Sequence, residues 1–179
     1  YGGGAVFPGA AYRAAKIIRD IDIKDVTFQN STGTAMDFDD CRNIFLEDLV
    51  IATSNKGLVM DNCSEIVIDG SITVSHTSNG YEFNTCALGD TEGFIAVANG
   101  GHGGVLNNVK IWSLLTSEHS ANTSDGLNVT SADTLQVALV VKSNGGQGME
   151  FVSGNVSCVI YNSVCESNTS DGIKLTAST

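Results

Sequence analysis

The chain has 179 residues and a formal net charge of −11 at pH 7, with nine lysines and arginines against 20 aspartates and glutamates. This balance argues against nucleic acid and anionic membrane surfaces as partners, because both select for basic faces. No apolar run approaches the length of a membrane-spanning helix. No nucleotide fingerprint, phosphate loop or Cys/His metal spacing occurs, so we expect no cofactor and no metal.

A small residue followed by a short strand pattern recurs seven times, once every 22 to 24 residues. A fixed period of this size in a strand-rich chain is typical of a solenoid, in which each repeat is one coil stacked on the last. We call the small residues anchors; they are Ala35, Gly57, Gly80, Gly104, Gly126, Gly148 and Gly172.

The residues after each anchor alternate between two faces of a strand. Those one and three past the anchor are apolar, except Asn107, whereas those two past it are mostly polar. Strand side chains alternate in this way, so we expect the apolar sets to point inward and the polar set outward. For Asn107 we expect a bulge that swaps the two faces locally. The outward row comprises Asp37, Val59, Glu82, Leu106, Asn128, Glu150 and Lys174.

Each coil contains two further apolar segments. Examples are 43–46 and 49–51 in one coil, and 65–68 and 71–74 in the next. Three short strands per repeat predict an all-β, single-stranded right-handed parallel β-helix (solenoid) of about 7–8 coils. We expect one domain, 1–179, with 1–20 as an irregular first coil that includes AVFPG. Because both ends fall inside the repeat, we also expect self-association or continuation into a longer chain.

Two further sets of residues recur in register. Asn122, Asn144 and Asn168 lie four before their anchors, either as a hydrogen-bonded ladder or because asparagine tolerates turns. Three cysteines lie six past theirs, either as a row of buried thiols or with one disulfide among them. They are Cys41, Cys63 and Cys86.

The sequence contains six Asn-x-Ser/Thr sites for N-glycans. Polar turns rich in Asn, Ser and Thr also produce such sites, so two interpretations remain open. If the sites are used, the chain is extracellular, either secreted or on a virion surface. The sites are Asn30, Asn62, Asn122, Asn128, Asn155 and Asn168.

Candidate catalytic groups concentrate in the carboxyl-terminal coils. Asp125 and Asp171 lie two coils apart, about 9–10 Å by strand spacing, and Glu150 lies on the coil between them. Paired carboxyl groups at such separations hydrolyse glycosidic bonds. Turn aspartates on a solvated face are the alternative. The expected substrate-binding residues are Asn128, Gln147, Lys174 and His102.

His102 lies in the glycine-rich segment NGGHGG (99–104), where it could act as an acid or as a sugar ligand, or have no role. A second acidic patch lies near the amino end. A solvated surface or a loose Ca²⁺ site would each explain it. The patch consists of Asp37, Asp39, Asp40 and Asp61.

The repeat pattern resembles the pectin-lyase-like superfamily of right-handed parallel β-helices, which includes polygalacturonases, polysaccharide lyases and epimerases, and phage tailspikes. DCRNIFLEDLVI (40–51) looks like polygalacturonase coils, and NTSDGLNV (122–129) looks like that family's Asn-Thr-Asp-Gly-x-Asp motif. The resemblance implies that Asp125 is a catalytic carboxylate.

The chain departs from these families at their other motifs. Gly146 and Gln147 stand where polygalacturonases have paired aspartates, and the Asp-Pro-His-Asp motif of alginate epimerases is missing. We therefore carry two hypotheses. The chain is a polysaccharide-recognising β-helix, with or without glycoside hydrolase or lyase-like activity, or it is a structural or adhesive rod without catalysis.

Overall fold

The computed structural model describes residues 18–152, 154 and 157–176, together with the backbone of residues 12–15. All regular elements in this part of the chain are β-strands. In chain order they are β1 Tyr12–Ala15, β2 Arg19–Lys24, β3 Thr27–Gln29, β4 Thr34–Asp39, β5 Arg42–Glu47, β6 Val50–Ala52, β7 Lys56–Asp61, β8 Ser64–Asp69, β9 Ile72–Val74, β10 Tyr81–Asn84, β11 Ala87–Glu92, β12 Ile95–Val97, β13 Gly104–Asn107, β14 Val109–Ser120, β15 Leu127–Val129, β16 Ala132–Lys142, β17 Met149–Phe151, β18 Ser157–Ile160, β19 Val164–Glu166 and β20 Ile173–Leu175.

The strands form three parallel faces, as the sequence predicts. The first face is an eight-stranded sheet in the order β1-β4-β7-β10-β13-β15-β17-β20, one strand per coil. The second begins β2-β5-β8-β11 and the third β3-β6-β9-β12. The long strands β14 and β16 continue through the corner between these two faces and join them into one 12-stranded sheet. The predicted parallel β-helix is therefore confirmed.

The register corrects one anchor. Gly104 pairs with Tyr81 on one side and Leu127 on the other, so Gly103 is the anchor of its coil. Leu106 is then inward and fully buried, while Asn107 faces outward in an unbroken strand. The predicted bulge is wrong, because the apparent swap came from counting the repeat from the second of two adjacent glycines.

The core runs along the axis of the solenoid and consists of the inward rows of all three faces. Two glycines there make room for large neighbours. A Cβ atom on Gly104 would overlap the ring of Tyr81, and one on Gly89 would overlap the ring of Trp112. These coils therefore use a glycine beside an aromatic residue where other coils pack two aliphatic side chains.

The asparagine ladder is confirmed and is longer than expected. Asn122 Nδ2 donates to Asn144 Oδ1 at 3.0 Å, and Asn144 Nδ2 donates to Asn168 Oδ1 at 2.9 Å. Asn99 joins the ladder by donating to Asn122 Oδ1 at 2.9 Å. His76 extends it, because its backbone N–H donates to Asn99 Oδ1. The ladder satisfies buried amide groups at one corner of every coil it crosses.

The cysteine row is a row of thiols. Cys41, Cys63 and Cys86 are buried and form no disulfide, and their Sγ atoms donate to backbone carbonyl groups. Cys158 and Cys165, nearer the carboxyl end, form no disulfide either. The disulfide alternative finds no support.

Other expectations concern the amino-terminal half. Within 1–20, expected to be irregular, β1 pairs in register with β4; residues 1–11, with AVFPG, and 16–17 lie outside the described part. Among described residues, no group of three or more acidic, His or Cys side chains is arranged to hold a metal ion, so a Ca²⁺ site at Asp37, Asp39, Asp40 and Asp61 finds no support. None of the described segments is a helix long and apolar enough to span a bilayer.

Candidate functional site

The outward surface of the first face, which we call the ribbon, carries two rows of mostly polar side chains, interrupted in the second row by Val59 and Val105. One row lies immediately before the anchors, and the other lies two residues past them. Parallel pairing places members of each row side by side on neighbouring coils. The first row contains Lys56, Asn79, His102, Asp125, Gln147 and Asp171. The second contains Asp37, Val59, Glu82, Val105, Asn128, Glu150 and Lys174.

Asn128 joins two candidate catalytic carboxylates. Its Nδ2 donates to Asp125 Oδ2 at 3.2 Å and to Glu150 Oε2 at 3.1 Å. The two carboxylate oxygens are therefore at most 6.3 Å apart, the sum of those contacts. In glycosidases the two catalytic carboxyl groups are roughly 5–5.5 Å apart in retaining enzymes and roughly 6.5–9.5 Å apart in inverting ones. A limit of 6.3 Å is compatible with the retaining separation and falls just short of the inverting one. The structure thus brings Asp125 and Glu150 together.

Lys174 completes this group from the next coil. Its Nζ donates to Glu150 Oε1 at 2.6 Å, and this hydrogen bond raises the pKa of Lys174 above its usual value. Each oxygen of Glu150 therefore faces a donor, one on Lys174 and one on Asn128. The position of the Glu150 side chain therefore depends on both neighbours.

His102 lies on the other side of Asp125. Its Nδ1 is 3.3 Å from the backbone nitrogen of Asp125 and 3.2 Å from Asp125 Oδ2. The two contacts require opposite protonation of Nδ1, which accepts from the backbone N–H when unprotonated and donates to the carboxylate when protonated. His102 therefore has two alternative hydrogen-bonding states at this site.

The row before the anchors is also a structural ladder. Three of its side chains accept a hydrogen bond from the backbone N–H of the counterpart one coil further on: Asn79 from His102, Asp125 from Gln147, and Gln147 from Asp171. A Cβ atom on Gly146 would overlap Asp125 Oδ1, so glycine leaves space for that contact. Much of the polar character of this row therefore serves the stacking of coils.

Asp171 is the predicted catalytic residue that lies apart from the pair formed by Asp125 and Glu150, although its backbone contacts Gln147. It is exposed, and its backbone N–H donates to Gln147 Oε1 at 2.7 Å. It lies two coils from Asp125 along the ribbon. The better-placed carboxylate pair is Asp125 with Glu150.

Residues of the amino-terminal half of the ribbon were not among the candidate site residues predicted from the sequence. Glu82 accepts from Lys56 Nζ at 2.8 Å and from Asn79 Nδ2 at 2.8 Å. These three residues occupy the same two rows as the carboxyl-terminal group, so the repeat period could have identified them. Together with His102 they extend the polar surface over successive coils from β7 to β20.

Three potential glycan sites already make side-chain hydrogen bonds in this structure. Asn122 is buried, and its Nδ2 donates to Asn144 and to the carbonyl group of Ala96, which argues against a glycan there. Nδ2 of Asn128 donates to both ribbon carboxylates. Asn155 lies outside the described residues. Asn168 Nδ2 donates to the carbonyl group of Val141 at 3.3 Å. Glycosylation itself stays a prediction at every site, including Asn30 and Asn62.

Comparison with known proteins identifies similar folds. A point mutant of the periplasmic alginate epimerase AlgG superposes with a TM-score of 0.77 at 14% identity, over 88% of this chain and 42% of that one. The A-module of Azotobacter vinelandii mannuronan C-5 epimerase AlgE4 gives a TM-score of 0.66 at 15% identity, over 90% and 62%. No protein-family model matches the chain, and no curated protein matches it in sequence.

These likenesses support the right-handed parallel β-helix fold that the sequence predicts. The chain spans about 42% and 62% of the length of these two structures. At such identities the comparison shows the fold alone, and the ribbon has to be interpreted from its own residues.

Proposed function

We propose that the ribbon binds a polysaccharide whose chain lies along the axis of the solenoid. The main observation behind this proposal is that every coil from Lys56 to Lys174 presents a hydrogen-bonding side chain from at least one of the two rows. Carboxylates, amides and ammonium groups are suitable partners for sugar hydroxyl groups. A repeating ligand can use the same type of contact on several successive coils.

The similar folds support a polysaccharide as the ligand. Both structures compared above are named as epimerases of alginate or mannuronan. Fold alone does not determine function. The proposal therefore depends on the ribbon, and the fold adds a precedent for a polysaccharide on a β-helix of this kind.

A hydrolytic step is the finer part of the proposal. Asp125 and Glu150 are close enough to act on one glycosidic bond, with one carboxyl group protonating the leaving oxygen and the other attacking the sugar or activating water. Gln147, Asn128, His102 and Lys174 would hold sugar hydroxyl groups around the pair. Epimerisation is not proposed, because the epimerase motif named above is missing.

Binding and cleavage need separate tests. Affinity electrophoresis in gels that contain neutral or acidic polysaccharides measures binding, and release of reducing ends measures cleavage. Glu150→Gln should weaken both, whereas Glu65→Gln, which removes an exposed carboxylate from another face, should change neither. Equal mobility of the three proteins with every polysaccharide would refute the ribbon as a binding surface. Binding without release of reducing ends would remove only the hydrolytic step.

A structural or adhesive rod is the second candidate. The observation that favours it is the ladder formed by Asn79, Asp125 and Gln147, since these side chains already bond to the next coil. In that case, Asp125→Asn would alter stability without altering any glycan contact. An extracellular or periplasmic location suits either candidate, and one of the two similar structures is named as periplasmic.

A further inference from the structure

A groove of about 540 Å³ lies at the corner between the second and third faces, away from the ribbon. It spans four successive coils, and a volume of this size is typical of small-molecule sites. Its lining combines apolar and polar groups, which include Glu92, Leu115, Thr116, Ala138, Tyr161 and Asn162.

The groove exists because one coil crosses this corner with one residue fewer than its neighbours. Leu114 and Ser117 of β14 pair with Val137 and Leu139 of β16, so two corner residues face a single residue, Ala138. Three residues separate Ile160 from Val164 on the next coil, whereas two separate their partners Val137 and Val140. The coils on either side therefore project beyond the middle one.

The backbone at the corner shows the same irregularity. Other coils turn here through a residue in the left-handed region, including Asp48 at φ 52°, Thr116 at φ 47° and Asn162 at φ 46°. Ala138 and Leu139 have no positive φ. Threonines at other corners, Thr53 at φ 53° and Thr85 at φ 55°, adopt the same conformation, so the distinctive feature here is the missing left-handed residue beside Ala138. Bulges also concentrate near binding sites, where they redirect side chains.

The side chains of the groove suit a sugar ring. Tyr161 is the one aromatic residue classed as exposed among those whose side chains are described, and it lines this groove. An aromatic face packs against the apolar C–H face of a sugar, while its hydroxyl group stays polar. Thr116 Oγ1 donates to Glu92 Oε1 at 3.4 Å, so a hydroxyl group and a carboxylate lie together in the lining.

The charge of the groove selects among sugars. Glu92 and Glu118 both line it, and Glu118 pairs with Lys142 at 3.1 Å. Carboxylates repel a uronate at close range and accept hydrogen bonds from neutral hydroxyl groups. We propose that this groove is a second glycan-binding site, which takes a neutral sugar residue stacked on Tyr161.

The test maps binding of defined oligosaccharides by amide chemical shifts of the ¹⁵N-labelled full chain. The probes are cellohexaose, mannohexaose and a mannuronate hexamer. At least one neutral probe should shift the amides of 92–95, 115–118, 138–140 and 161–162, and the mannuronate hexamer should not. Tyr161→Ala should weaken that binding about tenfold or more, while Tyr161→Phe should keep it within about threefold. Val159→Ala, a nearby exposed residue outside the groove lining, is the matched control.

Absence of shifts at the groove with both neutral probes would overturn the proposal. An unchanged dissociation constant in Tyr161→Ala would also overturn it, as would preference for the mannuronate hexamer. Failure here is distinct from failure of the ribbon. Glu150→Gln should leave the groove shifts intact, and ribbon binding should survive Tyr161→Ala.

Discussion

Tyr81 and His119 are hydrogen-bonded to each other inside the solenoid, with the phenol oxygen 3.2 Å from Nε2 of the imidazole. The other ring nitrogen, Nδ1, lies 2.9 Å from the carbonyl oxygen of Gly126. Since a carbonyl group can only accept, Nδ1 carries the proton, and Tyr81 donates to Nε2. The core therefore holds a neutral histidine with both nitrogens satisfied.

This arrangement predicts a loss of stability in mild acid. Burial lowers the pKa of His119 to about 4, and it also lowers the pKa of His76 to about 4, from an ordinary value of 6.5. Between pH 6.5 and 4 the unfolded chain therefore binds more protons, so the free energy of unfolding falls as pH falls through this window. Each histidine should contribute about 3 kcal/mol of that loss, measured by urea unfolding at several pH values.

His76→Asn is the matched variant, because position 76 is the next rung of the asparagine ladder. It should reduce the acid-dependent loss by about half and leave the remainder to His119. Carboxylates titrate in both proteins and cancel in the comparison. If the free energy of unfolding depended on pH in the same way in both proteins, His76 would not be a source of the acid-dependent loss of stability.

The asparagine ladder should be a large local source of stability. Asn122 Oδ1 accepts from the backbone and side chain of Asn99, so Asn122→Ala leaves buried donors without partners. We expect a loss of about 2–4 kcal/mol in the free energy of unfolding. Asn55→Ala, at an exposed position, should cost less than about 0.5 kcal/mol. Similar losses in the two variants would show that the ladder adds little.

The packing of Gly104 against Tyr81 predicts a non-additive pair of substitutions. Gly104→Ala should destabilise by about 1–3 kcal/mol through overpacking, because its Cβ atom would overlap the aromatic ring. Tyr81→Leu introduces the residue found in the same row at Leu58 and Leu127. In the Tyr81→Leu background, Gly104→Ala should cost much less. Additive effects in a double-mutant cycle would contradict this contact.

The cysteines should differ in reactivity. Burial raises the pKa of Cys63 and of Cys86 to about 12, whereas Cys158 is exposed. A maleimide reagent should modify Cys158 in the folded protein and react with the Cys41, Cys63 and Cys86 row only after unfolding. Mass spectrometry of labelled peptides measures this. A disulfide within the row would instead leave two cysteines unmodified until reduction.

The period and alternation of the sequence predicted the fold, since each coil repeats the same inward apolar positions. The register at NGGHGG could not be read from glycine spacing alone, because Gly103 and Gly104 are adjacent. The apolar Leu106 followed by the polar Asn107 already indicated that Leu106 points inward and that Gly103 is the anchor. Counting from Gly104 instead also placed Asn99 five residues before the anchor rather than four, and so outside the predicted ladder. The corner at Ala138 was not predictable, because a full repeat does not show how its residues divide among strands and corners.

The sequence identified six residues that the structure brings together on the ribbon, including Asp125, Asn128 and Glu150. It could not separate Asp171 from that group, because identical NTSDG segments place both aspartates before an anchor. Their surroundings differ: the Asp125 carboxylate is hydrogen-bonded on both sides, whereas Asp171 is exposed. Such differences depend on the neighbouring coil, which local sequence does not encode.

The most direct test of the ribbon as a polysaccharide surface is amide shift mapping of the full chain with the glycan that most retards it in affinity electrophoresis. The account predicts shifts along 79–84, 102–107, 125–130 and 147–152, which weaken in Glu150→Gln and persist in Glu65→Gln. Shifts confined to the other two faces, or none along these segments with any glycan, would contradict it.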